Sequence, residues 1–169
     1  MKALFLIADQ FEDLHLFSPL YRLREEGIEV TLASPSGKPV TGRHGHAAAA
    51  DMPIREVNPA EYDVLLIPGG YAPERLRLRE EAVDIARTFM DEERRVVVIG
   101  HGVQLLLSAG SVAGRHLTCA PEVRDDVRAV GGTYHDEPVV ADGHLLSCRG
   151  REALPELCRQ LMEWCHSQA

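Results

Sequence analysis

Four short runs along the chain are apolar at nearly every position: Lys2–Ala8, Glu29–Ala33, Val64–Pro68 and Val96–Ile99. They do not alternate apolar with polar residues, so each predicts a strand buried on both faces, as in a parallel sheet. Stretches with helical spacing fall between and after them: Asp13–Glu26, Glu80–Glu92, Gly102–Ala109, Glu122–Val130 and Glu152–Cys165. They are followed by stop or turn signals such as Gly27, Gly110 and Gly131-Gly132. In Asp13–Glu26 the residues Leu16, Leu20 and Leu23 share one face, and Arg22, Arg24, Glu25 and Glu26 lie nearer solvent. Strands alternating with helices of this length predict an α/β sandwich with right-handed crossovers.

Two segments break that rhythm. Pro35–Asp51 carries a Ser-Gly-Lys-Pro turn and then Val40-Thr41-Gly42, which predicts a small hairpin appended to the sheet. Val139–Cys148 has Asp142-Gly143 at its centre, a pair suited to a type I′ turn and so to a second hairpin. With no internal repeat, linker or low-complexity stretch, residues 1–169 are expected to form one domain.

The net charge of −8 argues against nucleic acid or an anionic membrane as partner, since both require a basic footprint. The short basic cluster Arg75, Arg77 and Arg79 reads as solvated surface. No apolar run approaches the roughly 18 residues that span a bilayer. The apolar run near the start, Ala3–Ala8, is too short for a signal peptide and Asp9, Glu12 and Asp13 follow at once, so it reads as a strand. The chain is therefore expected to be cytoplasmic. Its cysteines, Cys119, Cys148, Cys158 and Cys165, show no CxxC spacing and are expected to be free thiols.

Candidate chemistry gathers where open α/β sheets place their sites, beyond the carboxyl ends of the strands. Those loops are Asp9–Asp13, Gly69–Arg75, Gly100-His101 and Cys119–Glu122. Segment 96–107 is a buried strand, a sharp turn and a helix, the build of a nucleophile elbow. Its apex, Gly100, has no side chain. Glu12 opens a helix, where the dipole favours an acid, and can also serve as general acid or base. His101 begins the next helix, where a neutral imidazole is expected. Gly69-Gly70 has no GxGxxG or P-loop context and reads as a tight turn whose amides can stabilise an anion. His44 and His46 share a face if extended and would need a carboxylate to hold a divalent metal; read instead as part of a polar hairpin, they bind none. Glu12 and His15, three apart on a helix, are sterically able to share an ion. No cofactor and no metal are assigned.

At these loops the chain resembles the ThiJ/PfpI superfamily (the DJ-1-like proteins), closest to its PfpI intracellular-protease branch. The likeness runs end to end. It is carried by Ala8–Asp13, Gly27–Val30, Thr41–Gly45, Asp63–Gly70, Ala72–Arg75, the elbow and Arg124–Asp126. It implies a flavodoxin-like three-layer sandwich of the class I glutamine amidotransferase type. It also implies a homodimer that can build to a hexamer. The activities it implies are proteolysis, glyoxalase-type chemistry, hydration, deglycation and chaperoning. The family's elbow cysteine corresponds to Gly100, and the carboxylate beside that cysteine to Glu12. The histidine after it corresponds to His101, and a glutamate approaching from the neighbouring subunit to Glu74. The aromatic or histidine pocket wall corresponds to Ala120, and the proline usual after the elbow glycine to Val103. Glu12, His101, Glu74 and Gly100 are thus the candidate catalytic positions, and Gly69, Gly70, Gly102, Cys119 and Ala120 the candidate binding positions. The expected function is a catalytically impaired, stress-associated or binding homologue that takes a small carbonyl compound or a peptide. The alternative is a hydrolase or lyase on a small carbonyl compound, using Glu12 and His101 in acid–base chemistry or Cys119 as substitute nucleophile.

Overall fold

The structure, a computed structural model, describes residues 1–167; the last two residues of the expected domain lie outside the described residues. The strands are β1 (Lys2–Leu6), β2 (Glu29–Ser34), β3 (Val40–Thr41), β4 (Ala47–Ala48), β5 (Met52–Pro53), β6 (Val64–Ile67), β7 (Arg95–Ile99), β8 (His116–Leu117), β9 (Thr133–Tyr134), β10 (Val139–Asp142) and β11 (Leu145–Cys148). The helices are α1 (Asp13–Glu25), α2 (Ala72–Leu76), α3 (Glu80–Asp91), α4 (Val103–Ser108), α5 (Arg124–Ala129) and α6 (Leu154–His166).

Seven strands form the main sheet in the order β10-β11-β7-β6-β1-β2-β5. Every neighbouring pair is parallel except the β10–β11 hairpin. The register sets Leu4 beside Leu65, Leu65 beside Val96 and Val97 beside Leu146. All five residues are fully buried, which explains why these strands read as unbroken apolar runs. On the flanking helices, α1 packs against α6 and α3 packs against α4. The result is a flavodoxin-like three-layer α/β sandwich.

Helix α1 stops where its sequence predicts. Gly27 adopts φ +73°, its N–H donates to the Arg24 carbonyl, and Ile28 N–H donates to the Leu23 carbonyl at 3.0 Å. That left-handed close satisfies the last carbonyls of the helix and favours glycine, which has no Cβ to clash.

Several expectations are corrected. The hairpin within 35–51 is not appended to the main sheet: β3 and β4 pair only with each other, Val40 opposite Ala48, and β5 instead joins the sheet edge beside β2. The second hairpin turns one residue later than expected. Asp142 pairs with Leu145, so the two-residue loop is Gly143-His144, and of these only Gly143 has positive φ, +59°. A type I′ turn needs positive φ at both positions, so the turn follows the pattern with glycine first. Each of the last three predicted helices begins with a 3₁₀ turn, Gly100–Gly102, Pro121–Val123 and Arg151–Ala153. Helix α2 and the parallel β8–β9 pair carry too few residues for periodicity to reveal them.

Candidate functional site

The carboxyl ends of β1, β6 and β7 are brought together by backbone contacts between their loops. Glu12 N–H donates to the Gly69 carbonyl at 3.0 Å, and Tyr71 N–H donates to the Gln10 carbonyl at 2.9 Å. Phe11 and Gly70 form an isolated antiparallel bridge. Gly70 has φ +77°, and a Cβ there would press on the Gln10 and Phe11 backbone. Gly69 and Gly102 are packed equally tightly, against the Ile99 and Ile67 carbonyls respectively. These glycines let strand ends approach each other; only Gly70 of the three borders the cleft they frame. On the far side, Ala120 N–H donates to the Gly100 carbonyl at 3.1 Å and ties the fourth loop to the elbow.

Gly100 stands at the apex with φ +59°. A Cβ there would lie 3.0 Å from Cε1 of His15 and 3.7 Å from the Arg149 carbonyl oxygen. The side chain packed against the apex itself is therefore His15, a residue to which the resemblance gave no role. His15 is buried on α1, and its Nδ1 accepts the Gly69 N–H at 3.1 Å. Burial, followed by the charges of Arg151, His101 and Arg43, pushes its pKa down to about 3. The ring is neutral at pH 7, and because Nδ1 is an acceptor its proton sits on Nε2.

Glu12 borders the same cleft, and both its oxygens are engaged. It is the N-cap of α1: Oε1 accepts the Leu14 N–H at 3.3 Å, and Oε2 bonds His44 Nε2 at 3.1 Å. The adjacent Asp13 accepts from His44 N–H at 3.0 Å, from His46 N–H at 3.0 Å, and bonds His46 Nδ1 at 2.8 Å. Burial of the Asp13 carboxyl works to raise its pKa; the bonds from His44 and His46 together outweigh it and hold the group below the usual carboxylate range. His44 and His46 thus clamp the β3–β4 loop onto two carboxylates of α1. Among the described residues no three His, Cys, Asp or Glu side chains cluster as a metal site would need.

The cleft above the apex has a volume of about 510 Å³. Besides Glu12, His15 and Gly100, it is bordered by His101, Ala120, Arg43 and the loop from Arg149 to Glu152. Residues 1–164 match the DJ-1/PfpI family. The chain belongs to the DJ-1/PfpI family. It is 48% identical over 149 residues to the deglycase PfpI of Pyrococcus furiosus, covering 88% of this chain and 90% of that one. It is 39% identical over 160 residues to protein/nucleic acid deglycase 2 of Escherichia coli, covering 93% of each. Among solved structures it superposes on a two-domain protein of Anabaena variabilis with DJ-1/ThiJ/PfpI-like and ferritin-like domains, with TM-score 0.95 and 26% identity. That likeness covers 98% of this chain and 48% of the other, so this chain spans about half of that protein.

In this DJ-1/PfpI chain the remaining sequence candidates fall outside the cleft. Cys119 is buried and does not border it. Burial, together with Asp126 and Glu122, pushes its thiol up to about 12, the opposite of the electropositive, accessible setting a nucleophile requires. Cys148 is likewise buried and pushed up to about 12. Glu74 is exposed on α2, away from the cleft of its own chain. Three arginines that sequence reading missed do border it: Arg43, Arg149 and Arg151. Arg43 lies on one loop and Arg149 and Arg151 on another far along the chain, and an arginine in a polar loop gives no local signal of a site. Among the described residues no helix is long and apolar enough to cross a membrane.

Proposed function

We propose that this chain is a DJ-1/PfpI protein without the family's thiol chemistry, which keeps the cleft as a binding site for a small carbonyl compound or a peptide end. The observation that carries this reading is the pairing of Gly100 with His15. Where the resemblance sets a cysteine there is no side chain, and the side chain packed against that position is a neutral imidazole. The buried, high-pKa Cys119 offers no replacement. The family relatives named deglycases supply the substrates for the test. Wild type and Gly100→Cys should be assayed side by side for deglycation of glycated amino acids, for glyoxalase activity and for peptidase activity. No wild-type turnover is expected, and robust turnover would overturn the reading.

Acid–base catalysis by Glu12 and His101 is the second reading, favoured by their shared place on the cleft wall. It expects thiol alkylation to leave any activity intact and Glu12→Gln to abolish it. A cytoplasmic homodimer or hexamer belongs to the first reading, in which Glu74 of a second copy approaches His101. The exposure of Glu74 and of neighbouring Tyr71 supports that contact. Light scattering of wild type and Glu74→Arg tests it, with a smaller species expected for the variant.

A further inference from the structure

The bonding of every charged or polar group around the cleft is unequal between donors and acceptors. On the acidic side, Glu12 has both oxygens engaged, by Leu14 N–H and by His44. Asp136 and Glu152 are both engaged by Arg149, at 3.1 and 3.4 Å. Glu122 has no bonded partner among the described residues. On the donor side, the guanidinium groups of Arg43 and Arg151 have no carboxylate partner among the described residues; Arg43 lies only over the Tyr71 ring, 4.8 Å from its centroid.

The decisive group is His15. It is 5% exposed, it borders the cleft, and its Nδ1 is taken by Gly69 N–H. Its Nε2–H therefore remains a donor with no acceptor among the described residues. In a side chain that is otherwise buried, Nε2–H is the group left open to the cleft, and it offers a ligand there one fixed donor. The charged groups acting on this ring, Arg151, His101 and Arg43, are all of cationic type.

We propose that the cleft over Gly100 binds a small, singly charged carboxylate, such as a 2-oxo acid, whose oxygens accept from His15 Nε2–H and from the guanidinium groups of Arg43 and Arg151. The two oxygens of a carboxylate match planar guanidinium donors in a bidentate geometry and leave a lone pair for the imidazole. The absence of a Cβ at Gly100 leaves the floor beneath that position unblocked. A single charge is favoured over a dianion because Glu12, Glu122, Asp136 and Glu152 border the same cleft and repel further negative charge. This assignment rests on the reading of the cleft as a binding site and adds the class of ligand to it.

Titration calorimetry of the full chain with pyruvate, pyruvamide and inorganic phosphate tests the assignment. Pyruvate is expected to bind at least about tenfold more tightly than pyruvamide and than phosphate, equivalent to about 1.4 kcal/mol. The exposed-site double variant Arg43→Gln/Arg151→Gln is expected to lose about tenfold or more in pyruvate affinity, while Arg55→Gln, outside the cleft, keeps it. Equal binding of pyruvamide, tighter binding of phosphate, an unchanged double variant, or no saturable pyruvate binding at millimolar concentration would each overturn it. Turnover of glycated substrates by a wild type that also binds pyruvate would overturn the binding-protein reading and leave the carboxylate assignment standing.

Discussion

His15 Cε1 lies 3.0 Å from the point a Cβ on Gly100 would occupy. Any side chain at the apex would press on the imidazole, which would have to give by a few tenths of an ångström. Gly100→Ala is expected to destabilise the protein by about 1–3 kcal/mol, because φ +59° penalises any Cβ and the imidazole must also give way. Gly100→Cys meets the same strain. Urea unfolding of both variants beside wild type checks this, and unchanged midpoints would show that the ring yields freely.

His15 also predicts a pH dependence. Its folded pKa is about 3 and its unfolded value about 6.5, so the unfolded chain takes up a proton that the folded chain refuses. The stabilisation is fully present above pH 6.5 and falls as pH drops toward 3. For one such group the loss between pH 7 and pH 5 is about 2 kcal/mol. Denaturant unfolding at the two pH values should show wild type losing that much more than His15→Gln. Equal losses would mean that the ring is protonated without cost.

Asp13 is the hinge pin of the β3–β4 loop. It takes two backbone N–H groups and one imidazole from a segment about thirty residues away. Asp13→Ala is expected to cost about 1–3 kcal/mol by leaving those donors unmatched. It should also free Arg43 from its place beside the cleft. Hydrogen exchange at His44 and His46 amides reads the local effect, and protection retained in the variant would count against it.

The cysteines should sort by burial. In the native protein, iodoacetamide at pH 8 is expected to modify half-buried Cys158 and Cys165 at least about tenfold faster than Cys119 and Cys148, whose thiols are pushed up to about 12. Peptide mass spectrometry after timed quenching measures this. Rapid labelling of Cys119 would restore it as a nucleophile candidate.

The placement of β1, β6 and β7, the stop of α1 at Gly27 and the glycine at the elbow apex were all legible in the sequence. Each is a local property: an unbroken apolar run, a residue with no Cβ penalty, a strand-turn-helix spacing. The likeness in the loops also led to the right family. The chemistry of the cleft was not legible in the same way. His15 read as one helical histidine near Glu12, and nothing in its neighbours along the chain says that Gly69 would take its Nδ1 or that its ring would lie under Gly100. Arg43, Arg149 and Arg151 carried no signal of a place at the cleft. Their meeting depends on strand order, which sets the loops after β1, β6, β7 and β11 side by side. The independence of the β3–β4 hairpin was decided at the same level, since its two short strands pair equally well alone once Asp13 holds their loop. Sequence by itself determined the elements and the missing side chain; the tertiary structure decided which atoms surround that position, because hydrogen-bond partners and burial are properties of neighbours in space and not in the chain.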